Sequence, residues 1–333
     1  MNYGLPYKGS KNRIAKKILD ILPPAPVLYD VFAGGCAITH AALLSGKYSR
    51  VVANDINGMI PHAFETAITG GFRNEDRWIS RDDFQRLYKT DPYVAICFSF
   101  GNNLHEYCYA RALEPYKRAL HYAIFWRDFA PWAALCPETA DALASGLAPI
   151  EDRKQRRVQA GHFIVESLKA QLAAGTLTPD ILQKPIYRQI KDTPRRLQSL
   201  QSLESLERLQ SLERLESLQS LESLERLESL PGALTARSGD YRELCFDEPG
   251  IIYCDPPYMS VYAKGKDYGC EFDAEAFYSW CEAQKLPVYI SEYQMPEDRF
   301  VCVAEWDKVT RMAAKTVTHV TERLWRPRCQ SDI

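Results

Sequence analysis

The sequence has almost no net charge. It carries 41 Lys and Arg against 43 Asp and Glu. A nucleic-acid partner must therefore be held by a local basic face, because the chain as a whole is not basic. Metal-site spacing is missing as well. None of the ten cysteines is spaced Cys-x-x-Cys or joined by paired histidines, so no zinc site and no metal are expected. Cys97, in Ala-Ile-Cys-Phe, and Cys254, in Ile-Ile-Tyr-Cys, read as small buried hydrophobes in a reducing compartment. There is no apolar run of membrane-spanning length and no basic-then-apolar leader pattern. The expectation is a cytoplasmic protein with no membrane partner. A Gly-x-Gly-x-x-Gly run is also absent, which weakens a dinucleotide-binding reading.

What is present suits a large core. Of 333 residues, 46% are hydrophobic, enough for one big domain or two smaller ones. Residues 27–31 (Val-Leu-Tyr-Asp-Val) form an apolar run between prolines and glycines, and read as a buried strand entering a tight turn. A helix is predicted from Ala37 to Ser45, ended by Gly46. A second strand covers 50–54 and ends at Asp55. Together they make the strand–helix–strand unit of a parallel sheet. Residues 251–254 and 287–291 read as two more strands. The sheet signals lie at both ends of the chain, so an α/β sheet interrupted by inserted segments is expected.

The oddest segment runs from Leu197 to Leu230, where twelve leucines recur at every third position. On an α-helix each leucine steps back by about 60°, so the apolar stripe winds round the rod. A 3₁₀-helix would keep the leucines on one edge, but long 3₁₀ runs are uncommon. A repetitive helical spacer is the reading preferred over an assembly module. Such a leucine edge needs a covering surface, which makes self-association through 197–230 a candidate role. Pro194 and Pro231-Gly232 bound it.

Three short segments carry chemistry. Asp255-Pro256-Pro257-Tyr258 follows the strand 251–254, at the strand's carboxyl end, where ligands of open α/β sheets bind. The prolines fix the backbone, remove two N–H donors and leave carbonyl acceptors. Acceptors beside a stacking ring suit the amino group of an aromatic heterocycle. An ordinary strand-ending turn is the alternative. Asp30-Val31-Phe32-Ala33-Gly34-Gly35-Cys36-Ala37 places small residues between a strand and a helix start, where backbone can approach a ligand. Asp55, about twenty residues after the glycine turn, is placed to accept ribose hydroxyls or to cap a turn.

These elements, in this order, resemble the Dam-type family of adenine-specific DNA methyltransferases, whose later motif is Asp-Pro-Pro-Tyr. Tyr7-Lys8-Gly9-Ser10-Lys11 resembles the family's N-terminal motif, with Tyr7 and Lys11 bordering the cofactor. Phe32-Ala33-Gly34-Gly35 resembles the cofactor loop, and Asp55 the ribose acid. Gly239-Asp240-Tyr241 resembles the segment beside the cofactor adenine. Ser291-Glu292 resembles a later motif beside the target pocket. The resemblance covers roughly residues 3–130 and 235–326. Cys36 departs from it, standing where many relatives carry glycine or another small residue. A side chain there bears on cofactor fit, and cysteine is small enough to be tolerated.

The resemblance implies a Rossmann-like mixed sheet of the S-adenosylmethionine-dependent methyltransferases, with a helical target-recognition insertion and the leucine repeat as a second insertion. The expected division is 1–60 and 233–333 for the two halves of the catalytic domain, 61–193 for target recognition and 194–232 for the repeat. It implies S-adenosylmethionine as methyl donor and N6 of adenine as acceptor, with the base flipped from double-stranded DNA. Asp255, Pro256, Pro257 and Tyr258 would be catalytic. Tyr7, Lys11, Phe32, Gly34, Asp55, Asp240 and Asp255 would hold the cofactor. Candidate phosphate contacts are Arg153, Lys154, Arg156 and Arg157; Arg188, Lys191, Arg195 and Arg196; and Arg323, Arg326 and Arg328. Phe98-Ser99-Phe100-Gly101-Asn102-Asn103 reads either as a base-reading segment or as core strand and turn. Rival acceptors are cytosine amino groups, RNA adenine or a glutamine side chain. A second rival is an inert methyltransferase fold that works through its leucine repeat. Asp255, where cytosine enzymes more often carry serine, tilts the choice to adenine.

Overall fold

The computed structural model describes residues 3–7, 10–72, 74–188, 233–257, 272–312 and 316–330. They fall into two compact units, residues 1–73 with 220–333, and residues 74–219. The leucine repeat at 197–230 and Tyr258 lie outside the described residues.

Seven strands of the first unit, among the described residues, are β1 (Ala25–Asp30), β2 (Tyr48–Asp55), β3 (Leu234–Ser238), β4 (Gly250–Cys254), β5 (Val288–Glu292), β6 (Phe300–Met312) and β7 (Thr316–Pro327). They form one sheet in the order β3-β2-β1-β4-β5-β7-β6. The first five pair in parallel, with Leu28 level with Val51 and Ile251, and Cys254 with Ile290. β7 runs antiparallel to β5 and β6, with Ser291 opposite Leu324. Val27 to Asp30 and all of β5 are buried in unbroken runs, as strands covered on both faces require. The four strands read from the sequence are present, with ends within two residues of the expected ones. Two elements went unread, β3 and the β6–β7 hairpin.

The helix Ala37–Ser45 follows the glycine turn and ends at Gly46, whose φ of +68° suits a glycine cap. One face of the sheet packs Val27, Tyr29, Val52, Ile252, Val288 and Ile290 against Phe277, Cys281 and Phe300. Cys97 and Cys254 are buried as expected, whereas Cys245, Cys302 and Cys329 are exposed. No described helix is long and apolar enough to cross a membrane.

Chain order sets where a ligand can sit. From β1 the sheet grows outward through β2 to β3, then β4 pairs on the other side of β1. The crevice between the carboxyl ends of β1 and β4 is therefore the topological switch point.

The second unit is helical. Its longest helix among the described residues, Arg153–Ala173, is capped by Asp152, which accepts from the Lys154 and Gln155 N–H groups. Its core includes Trp132, fully buried, whose Nε1 donates to Thr139 at 3.1 Å. Two expectations change here. Arg156 and Arg157 are buried, and Arg156 donates to the carbonyls of Ile124, Ile150 and Glu151. Both are withdrawn as phosphate contacts: the buried face of their helix carries them inward, and for Arg156 backbone carbonyls take the place of water. Phe98 is core, 1% exposed, against the rings of Trp78, Tyr93 and Tyr109. Phe100 is exposed.

Candidate active site

The site forms where the parallel strands end. β1 delivers Asp30 and the turn after it, β2 delivers Asp55, β4 leads into Asp255, and β5 ends in Ser291-Glu292. The N–H of Val31 donates to the Tyr253 carbonyl at 3.0 Å. That bond carries the β1–β4 pairing up to the crevice, so the glycine turn and Asp255 share one rim.

The glycine turn is built by close approach. Gly34 has φ +46°, a left-handed conformation that glycine adopts at little cost. The Tyr7 ring faces it: a Cβ on Gly34 would lie 3.4 Å from Tyr7 Cε1. Gly35 accepts from the Leu5 N–H at 2.7 Å. His40 reinforces this tie, its Nδ1 accepting from the Gly4 N–H at 2.9 Å. Burial lowers the His40 pKa to about 4, so the ring is a neutral acceptor at physiological pH. Tyr7 thus packs against the loop.

Cys36 is the non-glycine residue at the head of the helix Ala37–Ser45, with φ +59°. Its sulfur is buried and lies 3.8 Å from the Gly34 carbonyl oxygen. Burial also holds the thiol far above its usual pKa, so it is an inert packing group beneath the loop.

Asp55 binds the same turn. Its Oδ2 accepts from the Gly34 N–H and its Oδ1 from the Asn57 N–H, each at 2.9 Å. Burial raises its pKa, against the pull of these two donors. A carboxylate oxygen has a second lone pair, so Asp55 can hold the loop and still accept hydroxyls. Asn54 adds a brace, donating to the carbonyls of Val31 and Gly239 at 3.1 and 3.0 Å. This draws the 239–241 segment to the rim. There Asp240 is engaged by Arg242 at 2.6 Å, while the Tyr241 ring packs near Phe32 and Trp280, at 5.2 and 5.0 Å between centroids. Phe272 and Phe277 also face Phe32.

Lys11 is the surprise of the site. Its side chain is 2% exposed, and its Nζ lies 2.5 Å from Asp255 Oδ1 and 3.5 Å from Glu322 Oε1. Burial works against its charge, but the two carboxylates outweigh that and hold the pKa above the usual lysine value. The sequence reading put Lys11 beside the cofactor; the structure brings it to the proposed catalytic acid. Asp255 itself is 20% exposed, Pro256 is buried and Pro257 half-buried. Behind them Tyr253 and Ser291 share a hydrogen bond of 2.7 Å.

Two functional candidates were missed by sequence reasoning. One is Glu322. The other is Asp30, 1% exposed, whose Oδ2 accepts from the Thr39 N–H and hydroxyl at 3.1 and 2.6 Å. Its Oδ1 has no hydrogen-bond partner among the described residues, and burial pushes its pKa up to about 7.

A glycine turn under an aromatic ring, an acid at the next strand end and an orphaned buried carboxylate oxygen fit a ligand with a ribose, a flat base and positive charge. Residues 7–120 match the D12 class N6 adenine-specific DNA methyltransferase family. The match takes in Tyr7, Lys11, Phe32, Gly34 and Asp55, and ends before Asp240 and Asp255. The Dam-type resemblance is consistent with this family, and the mixed sheet with its antiparallel β7 is consistent with an S-adenosylmethionine methyltransferase fold. No curated protein matches the chain.

The basic candidates of the chain tail are engaged locally. Arg323 donates to the Tyr293 carbonyl at 2.6 Å and Arg328 to that of Glu297 at 2.7 Å, while Arg326 lies over the Tyr289 ring. Lys154, on the second unit, is exposed. Lys191, Arg195, Arg196 and the side chain of Arg188 lie outside the described residues.

Proposed function

We propose that this chain transfers a methyl group from S-adenosylmethionine to the N6 amino group of an adenine turned out of double-stranded DNA. The observation that carries the reading is the shared rim: Asp255 and the glycine turn sit at the ends of adjacent strands, β4 and β1, at the switch point. S-adenosylmethionine supplies a methyl group already activated by a positively charged sulfur. The chain's own task is alignment, which is a large part of the barrier to a two-body displacement.

Asp255 and the Pro256 carbonyl each accept one amino hydrogen, which turns the nitrogen lone pair toward the methyl carbon. Tyr258 stacks on the base. Asp55 takes the ribose hydroxyls of the donor. Phe32 and Gly34 border it, and Tyr7 lies across the loop. Tyr241 and Asp240 flank its adenine. The Asp30 carboxylate supports a cationic ligand beneath the turn, and Lys11 serves Asp255 directly. The reading includes base extrusion, since an amino nitrogen stacked inside a duplex is out of reach of a methyl group held in a crevice.

The test is incubation of the purified chain with methyl-labelled S-adenosylmethionine and duplex DNA, followed by digestion to nucleosides. Label is expected in N6-methyladenine, and Asp255→Ala should lower the rate by at least about a hundredfold while the fold is kept. Label in RNA or protein and none in DNA refutes the reading. Wild-type turnover by the Ala variant displaces the site.

A further inference from the structure

Glu322 is a fully buried carboxylate, 0% exposed, in the middle of β7. Burying a charge is costly unless an opposite charge meets it. Lys11 meets it, with 3.5 Å between Nζ and Oε1. The same ammonium is 2.5 Å from Asp255. The three residues come from unconnected parts of the chain: the segment before the first helix, the turn after β4 and the interior of β7. In the sheet, β5 separates β4 from β7, so strand pairing alone does not join Glu322 to Asp255. The lysine spans the gap.

A lysine side chain is a compact charge on a flexible four-carbon stem. One ion pair leaves it free to swing. A second carboxylate, fixed in a strand, narrows where the ammonium can stand. We infer that Glu322 is a positioning residue for methyl transfer: it anchors Lys11 so that the ammonium grips one oxygen of Asp255 and sets the orientation in which that carboxylate accepts the amino group. In this inference Glu322 acts on the reaction through Lys11, not by contact with donor or base. The inference rests on the reading of Asp255 as the amine acceptor.

The experiment compares steady-state methylation of duplex DNA by the full-length wild type, Glu322→Gln, Glu322→Met, Lys11→Met and the Lys11→Met/Glu322→Gln double variant. Glu322→Gln should lose about tenfold or more in kcat, with KM for both substrates within about threefold, the signature of a group that serves the reacting state. Measured across pH, the alkaline limb of its rate profile should move to lower pH, because Lys11 keeps Asp255 but loses one of the two carboxylates facing it. In the Lys11→Met background the Gln substitution should cost no more than about twofold, since neighbours that act as a unit are not additive. A wild-type kcat in Glu322→Gln overturns the inference, as does a full additional loss in the Lys11→Met background. Failure of both Glu322 variants to fold and bind S-adenosylmethionine in calorimetry also overturns it, by making the residue a structural one. A wild type that leaves DNA adenine unmethylated overturns the functional reading and this inference together. An active wild type with an equally active Gln variant overturns the inference alone.

Discussion

A single carboxylate, Asp30, shows how far burial can move an ordinary residue. Its usual pKa of 3.8 is pushed up to about 7, with burial outweighing the two bonds from Thr39. Between those values the folded chain keeps a proton that the unfolded chain has released. Stability therefore falls as pH rises from about 4 to about 7, and the cost is complete above that window. Asn cannot ionise, and its amide oxygen can still accept from Thr39. Without ligand, Asp30→Asn should melt several degrees above the parent at pH 8, for a cost of roughly 4 kcal/mol at most. At pH 4 the two should melt together. Scanning calorimetry across that range checks this, and a constant difference at every pH rules it out. The residue was visible in the sequence as the last polar position of an apolar strand. Its burial was not, because the groups that enclose it come from distant segments.

At the scale of elements, the turn after β1 is packed closely against the N-terminal segment. A Cβ on Gly35 would stand 2.6 Å from Tyr7 Cβ and 2.8 Å from the Leu5 carbonyl oxygen. Both neighbours are held close by the bond from Leu5 to Gly35 itself. Gly35→Ala must push that segment off the loop, at about 1–3 kcal/mol for forced overpacking. Titration calorimetry should find S-adenosylmethionine bound about tenfold more weakly or worse. Unchanged affinity would mean that the loop and Tyr7 do not act together. Much of this element was legible. Apolar runs ending at glycine, and a Gly-ended helix, are local patterns with local causes. The β6–β7 hairpin was not legible: Glu305, Asp307, Lys308 and Arg311 break any apolar run in β6, and β7 holds its polar Glu322 inside.

Across the whole molecule, the seven-stranded sheet is assembled from chain segments that flank the second unit and the leucine repeat in sequence. β1 and β2 come before them, and β3 to β7 after. None of the proposed cofactor residues falls within 197–230. Deletion of those residues should leave the S-adenosylmethionine dissociation constant within about threefold of the parent, measured by calorimetry. A tenfold loss would tie the repeat to the cofactor site. The buried Arg156 and Arg157 teach the complementary lesson at this scale. A basic run looks like a nucleic-acid face in sequence, yet two of its four members point into the core of their own unit.

The amino-acid sequence by itself determined four of the five parallel strands, the turn between β1 and its helix, and the spacing of the acids at the strand ends. These depend on neighbours a few residues away, through apolar periodicity, glycine conformation and proline stiffness. The tertiary structure alone decided which charges share a buried space: that Lys11 reaches Asp255 and Glu322, that Asp30 lies enclosed, and that two arginines turn inward. Those outcomes depend on desolvation and on polar contacts between separate elements, 244 residues apart for Lys11 and Asp255 and 32 for Arg156 and Ile124, which no local pattern records.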